Sequence, residues 1–403
     1  MLRNSLGLIS TPLLIRNIGL TNILNQYFAA VAVVTSVYVV LAVPIDIYYS
    51  PALVKGINHN GPRSLRRLSE EKISLLLILF LIFSFGLIVF YSLSAALNSA
   101  VININYRIYF MVIINVLLSV CCSTLLIIKR FEKRIVEASL AFIINTILAS
   151  IVPLLFINNF GIFGYLTSSF FLQLSYLTYL FVQENLKINN IFKYKLTREF
   201  VCEFFHLLKL SFFTKGFSVI ESATVSLFFI QDATLYFLAK KIVSQVLSVV
   251  SEGRNRIFEA ELAISLNQNN YTAVKNILKK VSAQSAVICC LYVFVLYLGT
   301  TQNSVLSYIF KINVEQMNML LTIALTFSVW LYSSLDGGLI SFVFYSLDMT
   351  SENRRFLISS AIFWSFVLVV FAYFFGIYSV PIALGAYFLF NNKVLSRKIT
   401  LKL

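Results

Sequence analysis

The chain has 403 residues, of which 59% are hydrophobic and 12% charged, and its mean hydropathy is +0.85. Soluble domains carry about 25% charged residues, so this composition excludes a mainly soluble protein and points to a polytopic membrane protein. The formal net charge of +15 does not argue for nucleic acid, because the basic residues lie in short connectors between apolar runs, where membrane topology accounts for them.

A membrane-crossing helix needs about 20 apolar residues. Twelve candidate spans follow one another at residues 2–18, 27–49, 73–94, 107–128, 136–157, 160–182, 204–230, 233–251, 281–300, 317–345, 356–375 and 377–392. The first is interrupted by Pro12 and Arg16. It reads as a short or partial helix, or as one that begins upstream. It does not read as a signal peptide, since no small-residue cleavage site follows. The pair Gly161 and Gly164 marks the entrance to the sixth span. The tenth is too long for one straight span and is predicted to break or kink at Asp336-Gly337-Gly338.

The seventh and eighth spans form a hairpin around the polar break Gln231-Asp232. Polar residues recur along each at steps of three and four. In the first they are Ser211, Lys215, Ser218 and Glu221/Ser222; in the second, Lys241, Ser244/Gln245, Ser248 and Ser251/Glu252. Helical period places each set on one face. A lone charge in hydrocarbon costs about 2.5–3.5 kcal/mol even on the gentlest scale. The two seams therefore read as the wall of a hydrated, cationic cavity at membrane depth. Further on, 270–280 places Tyr271, Val274, Ile277 and Leu278 on one face and Lys275 and Lys279 on another. That is either an interfacial helix on an anionic leaflet or a solvated helical connector.

Of the 32 lysines and arginines, 26 fall on the side that holds both termini and the connectors after even-numbered spans. Arg16, Arg107 and Lys311 fall on the other side, and Lys215, Lys240 and Lys241 lie inside spans. The positive-inside rule then places both termini in the cytoplasm.

The connector after span two matches the connector after span eight at a constant offset of 209. Leu53-Val54 meets Leu262-Ala263, Ile57-Asn58-His59-Asn60 meets Leu266-Asn267-Gln268-Asn269, and Leu65-Arg66-Arg67-Leu68 meets Val274-Lys275-Asn276-Ile277. Six spans separate the two stretches, so the halves share one orientation, as in a parallel repeat. The predicted fold class is all-α and polytopic, with about 12 transmembrane helices in two six-helix bundles, 1–200 and 201–403.

Enzyme and metal signatures are absent from the sequence. The five cysteines form no Cys-x-x-Cys pair, and the two histidines, His59 and His206, give no zinc spacing. No P-loop, Ser-His-Asp arrangement or helical His-Glu-x-x-His is present. The expectation is a non-enzyme with no cofactor and no metal.

The chain resembles the multidrug/oligosaccharidyl-lipid/polysaccharide (MOP) exporter superfamily, and within it the O-antigen (Wzx-type) flippases. Pro12-Leu-Leu-Ile-Arg16-Asn-Ile-Gly19 followed by Tyr27 is similar to the family's passage from helix 1 to helix 2. Asp46 through Pro51-Ala52-Leu53-Val54 resembles the close of helix 2, Leu207-Leu-Lys-Leu-Ser211 the opening of helix 7, and Tyr236-Phe-Leu-Ala-Lys240-Lys241-Ile242 its helix 8. Cavity arginines of the lipid II flippase branch fall by this resemblance on Arg16 and Lys241. That branch's acidic residue entering helix 2 falls on Asn25, a departure, and its two extra C-terminal helices have no counterpart here.

The resemblance implies a flippase moving polyprenyl-diphosphate-linked oligosaccharide from the cytoplasmic to the outer leaflet of a bacterial inner membrane. It also implies a lipid-bilayer environment and, as pathway partners, polymerase and chain-length proteins. A diphosphate crossing hydrocarbon needs cations and hydroxyls in place of water. Lys215, Lys241, Arg16 and the adjacent Lys240 are the substrate-binding candidates. Their bland alternatives are a structural pair with an acid and, for Arg16, a headgroup anchor. Asp46, Asp336 and Glu221 are the ion-coupling candidates, with helix-end capping as the alternative. Two rivals stand. An O-antigen polymerase or ligase resembles a bundle with a large external loop, whereas the outer connectors here are short. A drug/cation antiporter of the same superfamily would carry more acid than base within its spans.

Overall fold

The computed structural model describes residues 13–59, 70–75, 105–131, 135–183, 198–347 and 349–402, with a few further positions between 77 and 86. Most of the third predicted span lies outside the described residues, as do residues 60–69 of the repeat and the side chains of Asp46 and Lys215. Every assigned element among the described residues is helical. A helix over 13–18 is followed by α1 (Asn22–His59), α2 (Tyr106–Phe131), α3 (Ile135–Leu155), α4 (Ile157–Gln183) and α5 (Arg198–Phe228). A 3-10 turn at Ile230–Asp232 leads into α6 (Ala233–Asn267). Then come α7 (Tyr271–Thr301), α8 (Asn303–Phe310), α9 (Val314–Thr326), α10 (Ser328–Ser346), α11 (Thr350–Phe375) and α12 (Ser379–Lys402).

Five stretches among the described residues are long and apolar enough to cross a membrane: Asn22–Leu41, Ile230–Ser251, Tyr271–Thr301, Val314–Phe344 and Phe356–Phe375. Tyr106–Cys122, Ile143–Leu155 and Gly216–Phe228 are shorter apolar helices. This is an all-α, multi-helix membrane fold.

Local chemistry sets the helix ends. The helix over 13–18 stops at Gly19, whose φ of +75° is left-handed, and the Thr21 hydroxyl then accepts from the Leu24 N–H at 3.3 Å. That is an N-cap for α1. At the far end of α6, Asn269 takes the left-handed conformation and the Asn270 N–H returns to the Ser265 carbonyl at 2.9 Å. Asn270 also caps α7 by accepting from the Ala273 N–H. Asn313 and Gln316 close a capping box at the start of α9.

The chain divides into two compact units, with the described residues up to 222 in one and those from 223 to 402 in the other. In the N-terminal unit, α2 packs against α1, α3 and α4. Its core holds Ile73, Cys121, Cys122, Leu125 and Leu180, so these two thiols sit as small core side chains. Polar groups tie its helices together. Gln26 Oε1 accepts from the Asn105 N–H at 2.8 Å, and the Ser36 and Ser222 hydroxyls lie 3.0 Å apart.

In the C-terminal unit, α10 is central and packs on α6, α7 and α12. Phe258, Leu262, Val274, Val281, Leu339, Val343, Leu395 and Ile399 form its core. Two expectations change here. The segment 270–280 is the first part of α7, with Val274 buried and Ile277 and Leu278 packed on this core. Val274, Ile277 and Leu278 of its apolar face thus meet protein. Second, the tenth span deviates at Phe327, between α9 and α10, while Asp336, Gly337 and Gly338 are helical. Tyr236 and Phe327, both fully buried, meet at this deviation with ring centroids 5.3 Å apart. The glycines serve close approach. A Cβ on Gly337 would lie 3.0 Å from Asn392 Oδ1, and one on Gly338 3.1 Å from Asn255 Nδ2.

Some helix ends coincide at the same offset. Adding the offset of 209 to the ends of α1 gives 231 and 268, against Ala233 and Asn267 for α6. The start of α2 maps to 315, against Val314 for α9.

Candidate functional site

The stretch 204–252, predicted as a hairpin, consists of α5, the 3-10 turn and α6. In the N-terminal unit, Glu221 and Ser222 of α5 are fully buried, and Arg16 is exposed on the helix over 13–18. In the C-terminal unit, Lys240 and Lys241 are half-buried on α6. Two serines of the α6 seam turn back to their own helix. Ser244 donates to the Lys240 carbonyl at 2.7 Å, and Ser251 to that of Ser248 at 3.3 Å. Lys240, Lys241 and Glu221 each engage other groups.

The C-terminal unit also contains a cavity of about 780 Å³ built by three helices. Helical spacing explains which residues line it. Lys275, Lys279 and Ser282 of α7 stand at steps of four and three. Tyr332, Asp336 and Ile340 of α10 stand at steps of four, and Asn392, Lys393, Ser396 and Thr400 of α12 share one face. Among the ion-coupling candidates with described side chains, Asp336 lies on its wall, and neither Lys240 nor Lys241 lines it.

Asp336 is 8% exposed, and its Oδ1 is buried with no hydrogen-bond partner. Lys279 and Lys393 are exposed and Lys275 is half-buried, so the carboxylate lies deeper than the ammonium groups. Among the described residues these three lysines make no hydrogen bond or ion pair. Tyr332 and Ser282 bond to each other at 2.9 Å, and Asn392 Nδ2 donates to the Ser333 carbonyl at 2.7 Å.

A second charge stands beside this carboxylate. Arg254 of α6 donates from Nη1 to Ser285 Oγ at 2.8 Å and from Nη2 to the Leu335 carbonyl at 2.6 Å. It also reaches Asn255 Oδ1 at 3.4 Å. Arg254 follows the apolar stretch Ile230–Ser251. Burial lowers its pKa from the ordinary guanidinium value, and the Asp336 carboxylate opposes that shift. Fixed in this way to α7 and α10, the guanidinium is part of the frame that holds Asp336.

Sequence reasoning found Asp336 and missed the groups around it. Arg254, Lys275 and Lys279 count among the connector residues and Lys393 among those of the tail, because topology alone explains basic residues beyond a span. The available signal was spacing, since Lys275, Lys279 and Ser282 recur on one helical face.

No protein-family model matches the sequence, and neither does any curated protein. Solved structures do match in fold. A multidrug-resistance MATE family transporter of the MOP superfamily, in an inward-facing conformation, is 13% identical with a TM-score of 0.67 over 99% of this chain and 95% of that one. The lipid II flippase MurJ, in an inward closed conformation, is 14% identical with a TM-score of 0.69, covering 99% of this chain and 86% of the other. A MOP superfamily transporter from Pyrococcus furiosus, described as having a binding pocket of reversed polarity, is 14% identical with a TM-score of 0.56 over 100% and 93% of the two chains. At such identities the likeness is one of fold, and the fold of this chain is that of the MOP-superfamily transporters.

Proposed function

We propose that the chain is a MOP-type transporter and, more narrowly, a flippase for polyprenyl-diphosphate-linked oligosaccharide units of O-antigen or capsule. It spans a bacterial inner membrane with both termini cytoplasmic, and 1–200 and 201–403 act as its two bundles. The observation that carries the reading is the pair Lys240 and Lys241, half-buried within an apolar stretch long enough to cross a membrane. Cations at that depth suit an anionic cargo. The fold shared with a lipid II flippase supports it.

In this mechanism the glycan and diphosphate enter from the cytoplasm while the polyprenyl tail stays in lipid. Lys215, Lys241, Arg16 and Lys240 replace the water and counterions of the diphosphate. The two bundles then rock to open outward. Asp46, Asp336 and Glu221 are the groups to which an ion or proton would couple.

The test is surface glycan in a null strain, with a fractionated assay of lipid-linked single units. A flippase restores surface glycan, and its loss strands single units on the inner leaflet. Lys215→Ala and Lys241→Ala should abolish restoration while folded protein persists. Normal surface glycan in both variants would remove the lysine assignment. Single units that reach the outer leaflet unpolymerised would install the polymerase rival instead.

A drug/cation antiporter is the second reading, favoured by the burial of Glu221 and Asp336. It would show cation efflux that survives loss of the lysines and disappears with Glu221→Gln.

A further inference from the structure

The cavity of the C-terminal unit separates its charges. Asp336 lies on the floor with a buried, unpartnered Oδ1, while Lys275, Lys279 and Lys393 stand nearer the mouth without partners among the described residues. The two sets do not neutralise each other. A ligand that satisfies both needs an anion at one end and a hydrogen-bond donor at the other. Its anion should be divalent, because three lysines against one carboxylate leave a surplus of at least two positive charges. A phosphate monoester carries close to two negative charges at neutral pH. Its donor should be neutral, because Arg254 already presents a cation to Asp336 from α6. A hydroxyl meets that condition. Tyr332 and Phe390 add aromatic surface to the wall, and the volume of about 780 Å³ lies within the range of small-molecule sites.

We propose that this cavity is a sugar-phosphate site, in which the lysines at the rim take the phosphate and Asp336 takes a sugar hydroxyl. The site goes beyond the residues assigned to translocation, and neither Lys240 nor Lys241 lines it. A sugar phosphate can reach it from two sources, the head of a lipid-linked glycan or a free metabolite, and the chemistry of recognition is shared.

The experiment is titration calorimetry on the purified full-length chain in detergent. The probes are a hexose 1-phosphate, the free hexose, inorganic phosphate, sodium chloride and a short-chain prenyl-diphosphate hexose. The hexose phosphate should bind more tightly than inorganic phosphate, and free hexose should give no signal. Lys393→Ala and Lys275→Ala should each weaken the hexose phosphate by about tenfold or more. Asp336→Asn should weaken hexose phosphate and leave inorganic phosphate within about twofold. Binding of the prenyl-diphosphate hexose in competition with the free one assigns the lipid-linked source. Its failure to compete assigns the free metabolite.

Hexose phosphate that does not bind overturns the proposal. So does inorganic phosphate that binds as tightly, with no response to Asp336→Asn. Sodium binding lost in Asp336→Asn, with hexose phosphate ignored, makes this a cation site and overturns it too. Size-exclusion profiles and Tm confirm folding, and Lys393, exposed at the rim, keeps the test decisive if Asp336→Asn misfolds. The flippase reading fails separately. A chain that binds hexose phosphate but restores no surface glycan sinks only that reading.

Discussion

α1 and α6 occupy matching places in the two halves and have almost the same length, yet they use polarity differently. The described polar side chains of α1 are neutral and include groups that tie helices together: Gln26 reaches the Asn105 N–H, and Ser36 meets Ser222; its charged residues, Asp46 and Lys55, come later in the helix. α6 carries charge: Lys240 and Lys241 half-buried, then Arg254 bound to α7 and α10. At the offset of 209, Arg254 corresponds to Ile45 and Asp336 to Ile127. The offset thus relates the ends of α1 and α6, while the two copies carry different charges at matching positions. That division follows from physics. Helix ends need only caps and apolar length, whereas a buried charge needs a built frame of donors and acceptors.

The largest effect should come from removing the charge that frames Asp336. Arg254→Met leaves Ser285 and the Leu335 carbonyl without their donor and Asp336 without its cationic neighbour. Breaking a buried charge arrangement on one side costs about 3–5 kcal/mol. The half-buried position of Arg254 puts the expectation at the lower end of that range. Thermal unfolding in detergent reads it. The double variant Arg254→Met/Asp336→Asn should recover part of the loss, since no bare carboxylate remains. A double variant no better than the single one would mean that Arg254 acts only through Ser285 and Leu335.

Next is the core beneath the cavity. Leu262 is fully buried among Phe258, Val274 and Leu395. Its position lies beyond the apolar stretch of α6, where water drives apolar burial. Leu262→Ala should cost about 2–5 kcal/mol. An intact Tm would show that α6 and α7 are held together mainly within the membrane.

Much of this fold was legible in the sequence, and the reasons are local. Gln231-Asp232 cannot continue an apolar run, so the break between α5 and α6 was readable. The Asn-rich pair of connectors gave the repeat, and the described one, in the C-terminal half, uses Asn269 and Asn270 to end α6 and start α7. Gly337-Gly338 misled, because glycine signals both a kink and a close approach, and sequence does not show which neighbour approaches. The cavity was hidden for a similar reason. Lys275 and Lys279 look like a solvated or lipid-facing edge until Val274, Ile277 and Leu278 are seen packed on the core. Asp336 could be nominated as an intramembrane acid, but its frame comes from Arg254 and Leu335, 81 residues apart.

A smaller effect concerns the approach of α12 to α10. A Cβ on Gly385 would lie 2.7 Å from Val329 Cγ1 and 2.8 Å from the Trp330 backbone nitrogen. Between membrane helices, association rests on close packing, and small residues permit it. Gly385→Ala should lower stability by about 1–3 kcal/mol, and Gly385→Val by more. Unchanged Tm in both would mean that α12 shifts along α10 without cost.

The smallest effect separates a hinge from a close contact. In a helix interior, Gly→Ala gains about 1 kcal/mol of propensity. At Gly337 the new methyl meets Asn392 Oδ1 at 3.0 Å and Nδ2 at 3.2 Å, and Asn392 is held by its bond to the Ser333 carbonyl. The two terms oppose, so Gly337→Ala should be nearly neutral in the intact chain. In an Asn392→Ala background the obstruction is gone, and the same substitution should stabilise by about 1 kcal/mol. The difference between backgrounds measures the contact. If Gly337 instead served as a hinge, the substitution would shift stability equally in both backgrounds, and its cost would fall on transport. Equal Tm changes combined with lost transport would restore the hinge at Asp336-Gly337-Gly338 and take the burden of bending away from Phe327.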